Sequence, residues 1–261
     1  MRGPAPTLSV IVVTRDRPRL VADALASVAR QRLAPLEVRI AVEGEPLPAG
    51  AADGLLEVVV VECAAGQPGR ARNAAAAGAR GEALAFLDDD DLWRPGHLAA
   101  LAGALADPAV AFVYDDCEVA LERVGEDGAR TVLARRVIAR AWDLEVMRRD
   151  DYVPPSTWGV RRALFERLGG FDAAFRYSED WDFLLRAARE SAPRRVPGVG
   201  VEVRLRESGN ASADFGAERR ACLARLAARH GLETPAPKTF WEVAGALGAE
   251  VSAAPDGGGV R

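Results

Sequence analysis

Two acidic clusters carry the residue types and spacing that chemistry needs. The first lies in "AFLDDDDLWRP", residues 85 to 95, where an apolar run passes directly into Asp88, Asp89, Asp90 and Asp91. On an extended segment side chains alternate, so Asp88 and Asp90 face one way and Asp89 and Asp91 the other. Carboxylates ~4 Å apart repel by about 1 kcal/mol in water and about 4 kcal/mol at an effective dielectric of 20. A bound Mg²⁺ or Mn²⁺, which prefers carboxylate, phosphate and water oxygens, would offset that cost. The competing reading is a solvated acidic turn capping the helix near Pro95, and the cluster alone does not decide between them. The second cluster is Glu179-Asp180 in "YSEDWDFLLR", whose own bland reading is a helix N-cap.

The elements that must position these groups follow an α/β rhythm. Apolar runs at "LSVIVV" (8 to 13), "LEVRIAV" (36 to 42), "LEVVVVE" (56 to 62) and "ALAFL" (83 to 87) alternate with alanine-rich helical periods at 18 to 31 and 70 to 80. Continuous apolar strands separated by helices predict a mainly parallel sheet covered on both faces. In such sheets ligands collect beyond the carboxyl ends of the strands, where this chain places "TRDRP", "EGE" and "DDDD". After a helix starting near Pro95, a strand at 110 to 116 and a hairpin over 117 to 138, turning at Glu126-Asp127-Gly128, predict that the sheet becomes mixed. A short strand at "STWGV", helices at "RRALFERL" and "DWDFLLRAARE", and a last helix at 214 to 230 ended by Gly231 complete a single domain over 1–231. Its two halves are expected over about 1–116 and about 117–231. From Leu232 to Arg261 the Pro, Ala and Gly content predicts a partly disordered tail, "SAAPDGGGV" above all.

Composition removes several function classes. The formal charge of the 261 residues is −4 with both signs scattered, so nothing advertises nucleic acid, although an arginine-lined pocket for an anion remains open. Lys238 is the only lysine and follows "PAP", which excludes a Walker A loop and argues against a Schiff-base enzyme. The Ala, Arg and Gly bias suits a G+C-rich bacterial genome. Cys63, Cys117 and Cys222 form no metal or disulfide spacing and read as reduced fillers. "LSVIVV" is too short for a signal h-region or a membrane span. The expectation is a cytoplasmic protein with no integral membrane segment, a peripheral position at the inner membrane face being left open.

Between the strands lies "GRARNAAAAGARGEALAFLDDDDLWRP", and with it the order of motifs resembles the family 2 glycosyltransferases of GT-A fold. That pattern has a strand ending in a polar turn, an acid after the second strand, an Ala-Arg-Asn helix start, an Asp-x-Asp at a strand end, then Gly-Gly-Phe-Asp and Glu-Asp. This chain offers "SVIVVTRDRP", "VEGE", "ARN", "FLDDDDLWRP", "RRALFERLGGFD" and "SEDWDFLLR" in that order, across residues 8 to 212.

The resemblance implies roles residue by residue. Asp90 corresponds to the metal ligand, with Asp88 or Asp89 touching metal or donor ribose. Val13, Thr14 and Arg15 end the first strand at the donor. Arg15 stands where the family often has an aromatic, and its guanidinium plane can stack on a base. Glu43 corresponds to the acid that hydrogen-bonds the nucleobase, in a Val-Glu rather than the usual Asp-Asp pair. Arg72 is expected at a helix N-terminus holding the diphosphate, with Arg70 the weaker candidate. Asp180 corresponds to the general base, with Glu179 beside it and Trp181 as a wall for a sugar; Trp158 reads as core first and as an acceptor contact second. Arg206 occupies a position where the family often has histidine, so it can neutralise phosphate but cannot ligate metal. His97 and His230 read as structural.

The function so implied is inverting transfer of a sugar from a nucleoside diphosphate of UDP, dTDP or GDP type to a carbohydrate, lipid-linked or natural-product acceptor hydroxyl, with Mg²⁺ or Mn²⁺. Two rivals differ in class. A sugar-phosphate nucleotidyltransferase would carry a glycine-rich loop after the first strand, and "TRDRPRL" has no glycine. A catalytically silent sugar-nucleotide-binding protein would need the donor pocket but not the later acidic pair. "GVG" at 198 to 200, without a third glycine or a following helix, argues against a dinucleotide enzyme. Oligomeric state is not legible.

Overall fold

The computed structural model describes residues 3–251 apart from Ala65, Glu126, Asp127, Ser208, Gly209, Ala211 and Ser212. Its parallel block is built from the apolar runs: β1 (Leu8–Arg15), β2 (Glu37–Glu43), β3 (Val58–Glu62) and β4 (Ala83–Asp88), in spatial order β3-β2-β1-β4. β1 and β4 are buried along nearly their whole length, so both faces of the sheet are covered, by α1 (Pro18–Ala29) and α2 (Pro68–Ala76) among others. The register sets Val13 beside Asp88 and Arg15 beside Glu43, which brings the three polar strand ends to one edge.

Beyond β4 the sheet turns mixed. The two-residue β5 (Leu92–Trp93) leads into α3 (His97–Leu105), followed by the long β6 (Phe112–Val124) and β7 (Arg130–Ile138). β6 runs through residue 116 without a break, so the expected boundary between halves at 116/117 falls inside one strand. The hairpin is present, but Glu126 and Asp127 of its turn lie outside the described residues. A short helix α4 (Leu144–Met147) and a 3-10 turn (Pro155–Thr157) lead into β8 (Trp158–Arg161), which bridges β4 and β6 with antiparallel pairing on each side. α5 (Arg162–Arg167) and α6 (Glu179–Glu190) follow, then β9 (Arg194–Arg206), which pairs parallel to β6 and antiparallel to β5.

The helix expected at 214 to 230 is α7 (Ala217–His230), ended by Gly231 in the left-handed region. The tail expected from Leu232 is corrected in part. Residues 240 to 251 form α8 (Phe240–Leu247) and β10 (Ala249–Val251), which adds an antiparallel strand to β7. Thr239 and Glu242 cap α8 reciprocally, and Val243 and Ala244 are buried against the core. The segment "SAAPDGGGV" lies outside the described residues. No helix among the described residues is long and apolar enough to cross a membrane.

An aromatic cluster of Phe86, Phe112, Trp158, Phe165, Phe171 and Phe183 packs where β4, β6, β8, α5 and α6 meet. Trp158 is fully buried inside it, stacked against both Phe171 and Phe183, and its indole N–H donates to the Val153 carbonyl. The acceptor role entertained for Trp158 is therefore withdrawn: its ring has no exposed face to offer a sugar.

Candidate active site

The strand ends and the start of α6 open into one cavity of about 770 Å³. Val13, Thr14, Arg15, Glu43, Arg72, Asp88, Asp89, Asp90, Glu179, Asp180 and Trp181 all line it, so most of the anticipated site residues meet there, whereas Trp158, Arg70 and Arg206 do not. Asp90 and Asp180 thus share one space. Arg70 is exposed and does not line the cavity.

The aspartate quartet divides its work. Asp88 and Asp90 keep 29% and 26% of their side chains exposed toward the cavity, whereas Asp89 and Asp91, in the turn that follows β4, are buried. Asp91 is a fastener: its Oδ2 accepts from Ser156 Oγ at 2.5 Å and its Oδ1 from the Arg204 amide at 3.2 Å. Ser156 in turn receives the Asp88 amide, which pins the turn after β4. Burial, with Asp90 and Asp88 nearby, pushes the Asp91 carboxyl well above the ordinary range. Asp89 accepts from Thr14 Oγ1 at 2.8 Å and from Arg17 Nη1 at 3.0 Å, and burial followed by the Asp90 charge pushes it up to about 6. The same Arg17 nitrogen lies 2.9 Å from Asp90 Oδ2.

Arg72 sits where the two acidic centres approach. It lies on the second turn of α2 rather than at its N-terminus, and only 5% of its side chain is exposed. Nη2 donates to Asp88 Oδ1 at 2.5 Å and Nη1 to Glu179 Oε1 at 2.7 Å, tying the end of β4 to the start of α6. Burial opposes its charge, but Asp88, Glu179 and Asp180 outweigh that and hold its proton more firmly than usual. The guanidinium is committed to protein carboxylates, which differs from the diphosphate clamp expected of it.

α6 is aimed by two devices. Its N-cap, Ser178, adopts φ 62°, a left-handed conformation costly for a residue with a Cβ, and the helix then begins with Glu179, Asp180 and Asp182 where the dipole favours negative charge. Upstream, Asn73 of "ARN" exchanges two hydrogen bonds with Phe171 of "GGFD", at 2.7 and 2.9 Å. Gly170 there has φ +67°, and a Cβ on it would come within 2.4 Å of Asn73 Oδ1. The two motifs are thus one joint between α2 and the approach to α6.

Burial and the neighbouring Asp180 push Glu179 up to about 7. Asp180 is raised by burial too, with Arg72 pulling the other way, and its Oδ1 accepts from the Trp181 amide. Trp181 donates its indole N–H to the Met147 carbonyl and presents its remaining surface to the cavity. Glu43, also buried, accepts from the Gly66 amide at 2.8 Å. Opposite, Asp16 receives the Glu45 amide, and a Cβ on Gly44 (φ +75°) would fall 1.9 Å from Asp16 Oδ1, so the loop beyond β2 needs glycine.

Three groups of cavity residues were not read from the sequence. Arg17 was legible as the second arginine of "TRDRP", directly before the proline that starts α1. Asp151, raised by burial and by Asp180, lies just before Pro154-Pro155 in a stretch with no motif. Lys238, Phe240 and Val243 come from the segment expected to be a tail, anchored by Lys238 Nζ to Asp150 at 2.5 Å.

Comparison with known proteins bears on what such a site does. The family model described as "Glycosyl transferase family 2" matches residues 9–169. The uncharacterized glycosyltransferase YwdF of Bacillus subtilis is 35% identical over 238 residues, covering 89% of this chain and 87% of that protein. Among solved structures, S. aureus TarS 1-349 in complex with UDP-GlcNAc superposes with a TM-score of 0.62 at 19% identity, covering 85% of this chain and 66% of that one. The mannosyltransferase PcManGT from Pyrobaculum calidifontis, in complex with GDP-Man and Mn²⁺, gives a TM-score of 0.56 at 22% identity over 92% of this chain and 68% of that one. This chain spans only 39% of the longer TarS chain. These likenesses show the GT-A fold.

Proposed function

The chain belongs to glycosyltransferase family 2, and from that premise we propose that it transfers a sugar from a nucleoside diphosphate to an acceptor hydroxyl with inversion at the anomeric carbon. The observation that carries the reading is that the carboxylates after β4 and those starting α6 face one cavity and are joined by the buried Arg72. The strand-end groups Val13, Thr14, Arg15 and Glu43 hold the nucleoside side, and complexes of GT-A relatives with UDP-GlcNAc and GDP-Man support a donor of UDP, dTDP or GDP type.

A divalent cation fits the donor set. Asp88 and Asp90 offer hard oxygens toward the cavity, although no group of three or more His, Cys, Asp or Glu among the described residues could hold an ion unaided. Mg²⁺ or Mn²⁺ at Asp90 and Asp88 would complete its shell with phosphate oxygens and water. When bound, such an ion supplies charge neutralisation for the departing diphosphate. The Mn²⁺ in the PcManGT complex supports this.

Asp180 takes the proton of the acceptor hydroxyl. Its raised proton affinity brings it closer to neutral pH than a free aspartate, which suits a general base worth roughly 10²- to 10⁴-fold. Glu179 holds Arg72 and keeps the base beside the donor carboxylates. Trp181 walls the sugar, and Leu223, Phe240 and Val243 give the acceptor side an apolar surface suited to a carbohydrate, lipid-linked or natural-product acceptor. Activated sugar donors and three free thiols favour a cytoplasmic setting.

The test is a panel of UDP-, dTDP- and GDP-sugars with Mg²⁺ or Mn²⁺, reading thermal shift and released nucleoside diphosphate. A ligand at 100 times its Kd adds about 2.7 kcal/mol of stability. Asp180→Asn should keep nucleotide binding and lose sugar transfer by at least ~100-fold. Retained transfer removes Asp180 from the mechanism, and binding without turnover in the wild type would mark a silent module.

A further inference from the structure

Arg17 brings a half-buried positive charge into contact with both Asp89 and Asp90 at the cavity. A single nitrogen, Nη1, reaches both carboxylates, 3.0 Å from Asp89 Oδ1 and 2.9 Å from Asp90 Oδ2. The guanidinium is bound in a way that permits departure: 34% of the side chain is exposed, against 5% for Arg72. Its backbone is fixed by Pro18 at the start of α1 and by the Val21 amide, which donates to the Arg17 carbonyl, so only the side chain has freedom.

The carboxylates stay in place if Arg17 leaves. Asp89 keeps its bond from Thr14 Oγ1 at 2.8 Å, and the Asp90 carbonyl keeps its bond from Arg204 Nε at 2.6 Å. Asp90, already open to the cavity, then loses its ion pair with Arg17, while the positive charge of Arg206 still acts on it. A guanidinium released here remains within the same cavity that receives the donor, and arginine binds phosphate oxygens through charge-assisted hydrogen bonds.

We propose that Arg17, braced on Asp89, is a resident counter-ion that competes with the divalent cation for Asp90, and that on donor binding it yields this seat and turns to the diphosphate. The proposal rests on the nucleotide-sugar reading of the site. It makes cation binding and nucleotide binding interdependent through one side chain: each phosphate contact that draws Arg17 away improves the seat for the ion.

The test measures Mn²⁺ binding by electron paramagnetic resonance and nucleoside diphosphate binding by calorimetry, at low salt, in wild type, Arg17→Gln and Arg17→Lys, with circular dichroism to verify folding. In the absence of nucleotide, Arg17→Gln should bind Mn²⁺ about tenfold more tightly, ~1.4 kcal/mol, because the competitor is gone. With saturating Mn²⁺, the same variant should bind the nucleoside diphosphate about tenfold more weakly. Arg17→Lys, which keeps the charge, should hold Mn²⁺ within about twofold of wild type. Unchanged or weaker Mn²⁺ binding by Arg17→Gln, or a lysine variant that behaves like the glutamine variant, overturns the proposal while leaving the transferase reading intact. A wild type that binds no nucleoside diphosphate with either ion sinks that reading, and this proposal with it.

Discussion

Arg72→Met is the sharpest perturbation of the joint between the two acidic centres, because methionine preserves length and apolar stem while removing the charge. In the wild type the guanidinium is 5% exposed and bonds Asp88 and Glu179, so its loss strands the buried Glu179 next to Asp180 and leaves the partly exposed Asp88 without its ion pair. Removing one member of a buried ion pair costs about 3–5 kcal/mol. The cost depends on pH in a definite sense. Glu179 has its affinity for a proton raised from 4.5 to about 7 by burial and Asp180, in spite of Arg72. A group raised on folding stabilises fully below its unfolded value and loses that contribution as pH climbs through its folded value. The gap from 4.5 to about 7 corresponds to about 3 kcal/mol, lost across that window. Without Arg72 the folded-state value rises further, so the variant keeps losing stability above pH 7. Urea denaturation at pH 5 and pH 8 should therefore show a small penalty at pH 5, about 1–2 kcal/mol from lost hydrogen bonds, and the full 3–5 kcal/mol at pH 8. Against a domain stability of roughly 5–15 kcal/mol, the variant approaches unfolding on the alkaline side. Equal penalties at the two pH values would refute the electrostatic account of Arg72.

Two further changes test packing. Trp158→Ala should cost about 3–5 kcal/mol in chemical denaturation yet leave nucleoside diphosphate affinity of the folded fraction unchanged in calorimetry, since the ring belongs to the aromatic cluster and not to the cavity. Thr239→Ala removes the reciprocal cap of α8 and should cost about 1 kcal/mol in a thermal melt, an effect a disordered tail would not show.

The parallel block was legible because burial on both faces demands continuous apolar runs, and "LSVIVV" and "ALAFL" have few other ways to satisfy that pattern. β9 was not, since Pro197, Gly198 and Gly200 interrupt it and its outer residues alternate with arginines. Its strand state comes from parallel pairing with β6, with register shifts around Asp115 and Asp116. Gly200 is required there because a Cβ would fall 1.6 Å from Asp115 Oδ2, which hydrogen-bonds the buried His97. α8 lay under a compositional reading that favoured disorder, although the Thr239-Phe240-Trp241-Glu242 cap signature was present. Candidate site residues were legible where a strand end or helix start fixes direction, as for Asp88, Asp90 and Asp180, which line one cavity. Trp158, read first as core, is buried in the aromatic cluster.

Four consecutive carboxylates look, in sequence, like a demand for a metal ion, but the folded chain meets that demand piecemeal. Arg72 takes Asp88, Arg17 spans Asp89 and Asp90, and Ser156 with the Arg204 amide holds Asp91, whose burial favours its protonated form. Arg206, where the family often has histidine, adds positive field at Asp90. The arginines therefore offset the repulsion that would otherwise require a cation for folding. Under the proposed function, what the arginines leave unmet is the charge of a diphosphate entering beside Asp88 and Asp90, which would bring two or three negative charges into a cavity already lined with acids. A cation bound there would then answer the donor's charge, while the arginine-rich frame explains how the unliganded site tolerates its own carboxylates.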